Sequence, residues 1–489
     1  MEIATEKEVN KNYITQQIWI KKGHRMYGYF QNMTQNAKNM FNTTNFYIRQ
    51  VYTGLTSNKA LQPLQIEVLD TITNNIDKMN DSQLLAYHKR VEKQKSKPKD
   101  KQKEIKCHLF EVPFKESPYV DYNFLDSLFK KIAQNDYRSL PTQSSQGIMQ
   151  TVFQNWKSFY ASLKDYKQNP TKYKAKPKIP KYSRAKEKEV LFTNQDCVIK
   201  NNKFLKFPKT KQQLNIGKLG LSNGKLKQVR VIPKYNQYVV ELVMDVPSEP
   251  IEKEDNGRYM SIDLGNDNLA TIVTNTGRKP TLIKGKSVKS INQYYNKMKA
   301  YFLGIIRHGK QTNEGPFTTK RLEHLHQNRF LKIKDVFHKA SNIVVKLALE
   351  ENIHTIIIGQ NKGWKQEVNI GKRNNQTFVH IPHRLFIEMV KYKAEQQGIQ
   401  VYVSEESYTS KASFLDGDEI PTYGENNEKK IFSGRRIKRG LYRSKHGLLI
   451  NADVNGAANI MKKAVCRLKK DSFFNIETIN LWNPQSIII

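Results

Sequence analysis

Residues 259–274 read Tyr-Met-Ser-Ile-Asp-Leu-Gly-Asn-Asp-Asn-Leu-Ala-Thr-Ile-Val-Thr, and this stretch decides the fold. Tyr259–Asp263 reads as a strand that ends in an acid where the chain turns at Leu264-Gly265. Leu269–Thr274 reads as a second strand, and Thr276-Gly277 makes the turn into a third. About 190 residues after Asp263 the chain reads Asn-Ala-Asp-Val-Asn-Gly at 451–456, an acid in the first turn of a helix lined with small residues. Asp263 and Asp453 are the kind of carboxylate pair that holds divalent metal for phosphodiester chemistry. Taken singly, Asp263 reads equally as a turn residue and Asp453 as an N-cap.

Between these acids lies a recognisable order. A long basic helical region runs from about 286 to 352, broken near Gly309–Pro316. His354–Ile358 reads as a buried strand, Pro382–Gln397 as a helix and Gln400–Ser404 as a strand, before a helix opens at Asp453. A three-strand meander followed by helix, strand, helix, strand, helix is the ribonuclease H-like order. In such a fold the acid ending the central first strand faces an acid on the last helix. Metal held between them, two Mg2+ ions here with Mn2+ able to substitute, stabilises the attacking and leaving oxygens of an in-line displacement.

Such a site needs a third carboxylate. The end of the 354–358 strand reads Ile-Ile-Ile-Gly-Gln-Asn, so Gly359 stands where a Glu is expected. The neighbouring strand ends in Glu405-Glu406, and adjacent strands lie about 4.8 Å apart. Alternation puts Glu405 with Val401 and Val403 and puts Glu406 with Tyr402 and Ser404. Glu406, beside the polar Ser404, is the better third ligand; Glu367 and Glu388 are weaker ones. The candidate catalytic and metal-binding set is therefore Asp263, Glu406 and Asp453.

The rest of the chain points to a polyanion. Of 489 residues, 82 are Lys or Arg and 45 Asp or Glu, a formal net charge of +37, which speaks of partners rather than fold. A membrane is not among them: there is no apolar stretch of bilayer length and no N-terminal signal segment. Cys107, Cys197 and Cys466 show no CxxC spacing, which fits a reducing cytosol. In the N-terminal half, 12–30 reads as a strand or hairpin, followed by a helix, and 89–106, around Pro98, as a solvated basic loop or a phosphate-tracking arm. Helices follow near 122–134 and 145–167, the second with an aromatic stripe that reads as core. Lys172, Lys174, Lys176 and Lys178, interleaved with Tyr173 and Tyr182, suit either a nucleic-acid backbone with stacked bases or a plain linker. From 190 to 247 strands recur, as in a small β-barrel that 12–30 would join. A second basic run contains Arg435, Arg436, Lys438 and Arg439, placed to neutralise the phosphates of a strand entering the site.

Ser-Ile-Asp-Leu-Gly-Asn-Asp-Asn-Leu-Ala-Thr, Ile-Ile-Ile-Gly-Gln-Asn-Lys, Tyr-Thr-Ser-Lys and Asn-Ala-Asp-Val-Asn-Gly-Ala-Ala-Asn-Ile resemble the motifs of the TnpB family, RNA-guided nucleases of small bacterial transposons related to type V CRISPR effectors. The resemblance implies an α+β multidomain protein: a ribonuclease H-like (RuvC) nuclease domain, a β-barrel wedge domain and an inserted helical recognition domain. On this chain the wedge takes 1–35 and 172–250, the recognition domain 36–171, and the nuclease 251–406 and 451–489, with a basic lobe at 407–450. The resemblance further implies a guide RNA as partner, a double-stranded DNA target next to a short duplex motif, and Mg2+-dependent DNA cleavage in the nucleoid. The chain departs from the family pattern at Gly359 and in the lobe, where Ala412 and Phe414 stand in the region of the zinc-ribbon cysteines. No zinc is therefore expected, and packing is expected to hold 407–450. Two other readings remain: an RNA-guided DNA-binding protein that does not cut, and a guide-free transposase or resolvase.

Overall fold

In the computed structural model the strand expected over 12–30 is β1, Lys11–Ile20, and it stops there. Gly23 turns the chain at a φ of +97°, and α1 (Tyr27–Thr56) begins well before residue 36. The period of two ends because Met26, Phe30, Met33, Ala37 and Met40 recur at helical spacing and are all buried. The structure describes residues 11–98, 102, 104–217, 224–247, 254–311, 313–361, 381–422, 431–468 and 478–489. It is a mixed α+β chain that divides into two units, residues 1–248 and 249–489. Among the described residues no helix is long and apolar enough to cross a membrane.

The first unit continues through α2 (Pro63–Thr73), α3 (Ile76–Lys95), α4 (Tyr122–Lys131), α5 (Asn135–Ser139) and α6 (Thr142–Gln168). The basic loop expected from 89 is thus helical as far as Lys95, in keeping with the helix propensity of its Lys, Glu and Gln residues. The aromatic stripe of α6 is core: Trp156 is buried and its indole N–H donates to Asn45 Oδ1 on α1 at 2.8 Å. The strands are β2 (Val190–Thr193), β3 (Val198–Lys200), β4 (Phe204–Lys206), β5 (Gln213–Asn215), β6 (Lys225–Lys234) and β7 (Gln237–Pro247). They form a four-stranded sheet, β1-β7-β6-β2, and a three-stranded sheet, β3-β4-β5. β1 pairs antiparallel with β7 from Lys11↔Pro247 to Ile20↔Tyr238, so α1–α6 are inserted between two strands of one sheet.

The second unit begins with the antiparallel meander β8 (Tyr259–Asp263), β9 (Asn268–Thr274) and β10 (Thr281–Lys284). Helices α7 (Lys286–Ile306) and α8 (Lys320–Glu350) follow, then β11 (Thr355–Gly359), α9 (His383–Glu395) and β12 (Gln400–Ser404). β13 (Arg435–Lys438), β14 (Leu441–Arg443) and β15 (Leu449–Asn451) form a small antiparallel sheet; α10 (Ala452–Leu468) and β16 (Gln485–Ile487) complete the unit. The main sheet has the order β12-β11-β8-β9-β10-β16. β12, β11 and β8 are parallel, which puts their C-terminal ends side by side.

The two faces of this sheet serve different partners. Met260, Ile262, Ile356 and Ile358 pack in one core with residues of α8 and α9. Tyr259, Ile357 and Val273 pack in another with Val454, Ala457, Ala458 and Ile460 of α10. Side chains alternate along a strand, so Asp263 shares the α10 face with Tyr259 and Ser261. The Ser261 hydroxyl, buried, donates to the Ala457 carbonyl at 2.7 Å. The small residues of α10 make this approach possible.

Candidate functional site

Three carboxylates gather at the C-terminal ends of β8 and β12 and the N-terminal end of α10. Asp263 ends β8 against α10. A Cβ at Gly456 would lie 2.9 Å from Asp263 Oδ2, so any larger residue there would push on that carboxylate. Asp453 lies in the first turn of α10, but it is not the N-cap. Asn451 is: its Oδ1 accepts from the amides of Asp453 at 3.0 Å and Val454 at 3.2 Å. The Asp453 carboxylate is left for the site, where Oδ2 accepts from Asn268 Nδ2 at 2.8 Å and Oδ1 faces Arg436 Nη2 at 3.5 Å.

Glu406 reaches the site through the gap at Gly359. A Cβ built on Gly359 would sit 2.6 Å from Glu406 Oε2 and 2.5 Å from Ile460 Cδ1. The Glu406 carboxylate therefore fills the space that a side chain at the end of β11 would need, and any side chain at 359 would have to displace it. The backbone of Glu406 is held on both sides: its amide donates to Asn361 Oδ1 at 3.0 Å and its carbonyl accepts from the Thr409 hydroxyl at 2.8 Å.

Strict alternation across Glu405 and Glu406 does not hold, because β12 ends at Ser404 and the chain turns. Instead of lying on the far face, Glu405 turns towards α10, where Lys463 Nζ lies 2.5 Å from its Oε2 and Arg467 3.9 Å away. Lys463 is 4% exposed and also donates to the carbonyls of Ser407 and Pro421. Of the weaker candidates, Glu388 projects from the exposed side of α9, and Glu367 lies outside the described residues.

The electrostatics follow this geometry. Burial, then the nearby Glu406 and Asp453, raise Asp263 well above the usual carboxylate range, with Arg436 opposing. Burial, then Glu405, raise Glu406 to about 7 against the pull of Lys463. Burial also works to raise Glu405, but its bonds to Lys463 and Ser407 outweigh it and hold that acid below its ordinary value. The oxygen-only donor set and its excess of crowded negative charge fit a hard divalent cation such as Mg2+. Among the described residues no three His, Cys, Asp or Glu side chains already form a group able to hold an ion; Asp453 would have to turn from Asn268 and Arg436 to join the other two.

The basic residues fall in two places. Arg435, Arg436, Lys438 and Arg439 lie not in a loop but on the β13–β14 hairpin and its turn, where Arg436 meets Asp453 and Arg439 pairs with Asp267. Lys174, Lys176 and Lys178 are exposed in the first unit. Lys172 is bound to Asp165 at 2.8 Å. Their segment is no free linker beyond 179: the carbonyl of Pro180 accepts from Arg49 at 2.6 Å, and Ser183 exchanges two hydrogen bonds with Asn42 of α1.

The lobe after β12 is clasped by hydrogen bonds as well as by the packing of Phe414 and Tyr442. Asn455 donates to the Ala412 carbonyl at 2.8 Å and accepts from the Phe414 amide at 3.0 Å. Asn459 donates to the carbonyls of Thr409 and Ala412. Asp416 accepts from the Ser413 hydroxyl and the Lys445 amide, while Asp418 binds the amides of Ser413 and Ser433. Asn268, Asn451, Lys463 and this clasp were not singled out from sequence; the Asn-rich runs 266–268 and 451–459 were the signal available.

Comparison with known proteins places this arrangement. A family profile described as a probable transposase, OrfB_IS605, matches residues 237–365, and a second, the TNB domain of Cas12f1-like proteins, matches 383–460. The TnpB-like protein ORF457 of Acidianus two-tailed virus is 28% identical over 221 residues, 44% of each chain. Over these residues the chain is similar to TnpB-like proteins. The chain thus matches less than half the length of this viral relative. Among solved structures, the Cas12f1–sgRNA–target DNA complex is similar at a TM-score of 0.43 and 11% identity, over 92% of this chain and 99% of that one. A CRISPR-Cas12f ternary complex follows at 0.31 and 12%, over 81% and 80%.

Proposed function

We propose that this chain is a TnpB-family, RNA-guided DNA endonuclease that hydrolyses phosphodiester bonds at Asp263, Glu406 and Asp453. The observation that carries the reading is the Glu406 carboxylate seated over Gly359, which supplies a third acid where the strand end offers none. Mg2+ bound by these three would stabilise the charge of an in-line displacement. Once Asp453 turns from Asn268 and Arg436 to join the other two acids, Arg436 would be free to meet the incoming phosphate. A guide RNA and a double-stranded DNA target are the partners, and the nucleoid the location. The six-stranded sheet with α10 on one face supports a ribonuclease H-like nuclease domain over 251–406 and 451–489, with 407–450 as its lobe. The β1–β7 pairing supports a wedge domain built from both ends of the first unit, with α1–α6 as the inserted recognition domain.

A non-cutting guided binder is the second reading, favoured by the engagement of Asp453 with Asn268 and Arg436. The test is to co-express the chain with its native flanking DNA, sequence the RNA that copurifies, and supply Mg2+ with a matched target beside a randomised flank. Cleavage at one flank motif that is lost in Glu406→Gln supports the nuclease. Specific binding without cleavage would favour the binder, and cleavage of branched DNA without RNA would favour a guide-free resolvase.

A further inference from the structure

Helices α7 and α8 enclose a cavity of about 470 Å3, lined by aromatic faces on α7 and cationic side chains on α8. Tyr294, Tyr295 and Phe302 supply the apolar faces; Arg321, Arg329 and Lys332 supply the charge, and among the described residues no carboxylate lines the space. Tyr294 is 62% exposed, so the cavity is open on its side. The cations are set against the rings: the Arg329 guanidinium lies 4.8 Å from the Tyr295 ring centre and that of Arg321 5.4 Å from Phe302. Arg329 is fixed further by its bond to Asn292 Oδ1 at 2.7 Å. Nothing in the carboxylate chemistry uses this hairpin.

We infer that this cavity binds an unstacked nucleobase of a single strand, stacked on Tyr294 and its neighbours, with the adjoining phosphates on Arg321 and Lys332. Planar rings backed by guanidinium groups suit a base face, which every nucleotide offers regardless of sequence. The volume lies within the range of small-molecule pockets. Charge complementarity selects the occupant: Arg321, Arg329 and Lys332 around aromatic faces, with no carboxylate among the lining residues described, suit a polyanion with aromatic faces rather than a second, similarly basic copy of the chain. The inference rests on the reading of the chain as a nucleic-acid-binding protein, but not on cleavage.

The test uses the full chain with fluorescein-labelled 12-mers of oligo(dT) and oligo(U), and with the same oligomers carrying 5-bromo bases for photocrosslinking and peptide mapping. Tyr294→Ala, at an exposed position, and Arg321→Glu are the variants. Crosslinks on α7–α8, with affinity falling about five- to 150-fold in Tyr294→Ala, are expected from the loss of one stacked base. The oligomer that shows the larger loss identifies DNA or RNA as the source. Binding with crosslinks only elsewhere and variants equal to wild type would overturn the cavity assignment and leave the nucleic-acid reading standing. No binding of either oligomer would overturn both. Dimerisation in sedimentation velocity that Arg321→Glu abolishes, without crosslinks on the hairpin, would replace the base with a second copy.

Discussion

Glu406→Gln should stabilise the metal-free protein at pH 8 and leave it nearly unchanged at pH 4. Glu406 rises from its ordinary 4.5 to about 7 in the folded chain. Between those values the native state holds a proton that the unfolded chain has lost, so stability falls as pH rises through the window. At 1.36 kcal/mol per pH unit the full loss above pH 7 is roughly 3 kcal/mol. Solvent access at this half-buried group lowers the expectation to about 1–3 kcal/mol. Glutamine keeps the shape and removes the charge. At pH 8 it therefore recovers this loss and also relieves Asp263 of one like-charged neighbour. At pH 4, below both values, Glu406 is protonated in the folded and the unfolded chain and the two proteins match. For a unit of this size 1 kcal/mol moves the midpoint by about 2–4 °C, so scanning calorimetry in EDTA at both pH values resolves the effect. Adding Mg2+ at pH 8 should reverse the order, because wild type gains the ion and the variant does not. A variant destabilised equally at both pH values would refute the reasoning, since it would mean that the Glu406 carboxylate is satisfied by partners within the fold.

Other expectations follow from the same geometry. Gly359→Ala puts a Cβ against the Glu406 carboxylate and the buried Ile460 side chain; stability should fall by about 1–3 kcal/mol, while cleavage falls about 10–100-fold through displacement of the carboxylate, as single-turnover rates beside urea denaturation would show. Asn459→Ala leaves the buried Thr409 carbonyl without its bond, costing about 1–3 kcal/mol and opening 407–422 to proteolysis; unchanged protease resistance would contradict the clasp. The lobe should also survive chelation, with hydrogen exchange of the β13 and β14 amides the same before and after EDTA. Arg435→Ala should weaken DNA binding at low salt and reduce the slope of log affinity against log salt by about 1, measured by anisotropy across a salt titration.

Local pattern alone carried the second unit a long way. The acid ending β8, the order of strands and helices to α10, and the bounds of β12 are all legible, because half-buried strands and amphipathic helices write their periods into the sequence. The preference for Glu406 also came from sequence, by noticing Gly359 and looking one strand over. What was illegible depends on contacts between distant segments. The opposite-face argument for Glu405 failed because strand geometry stops at Ser404, and only the buried Lys463, about 60 residues later, shows where Glu405 goes. In the first unit, local alternation suggested strand up to residue 30, whereas burial of Met26 and of Phe30, the latter against Phe207 and Tyr238, goes with a helix from Tyr27.

The sequence by itself determined the chemistry available: a strongly basic chain, acids at a strand end and a helix start, and no side chain at 359. Those are properties of residue type and spacing, and spacing sets local structure. The tertiary structure decided which acid stands where. Asn451 takes the capping role and frees Asp453; Lys463 draws Glu405 aside; and the parallel register of β11 with β12 sets Ser404 beside Gly359, so that Glu406 reaches over the missing side chain to Asp263. Each of these turns on a pairing between residues far apart in the chain, and the selection among like-charged acids rests on burial and neighbours that exist only once the chain has folded.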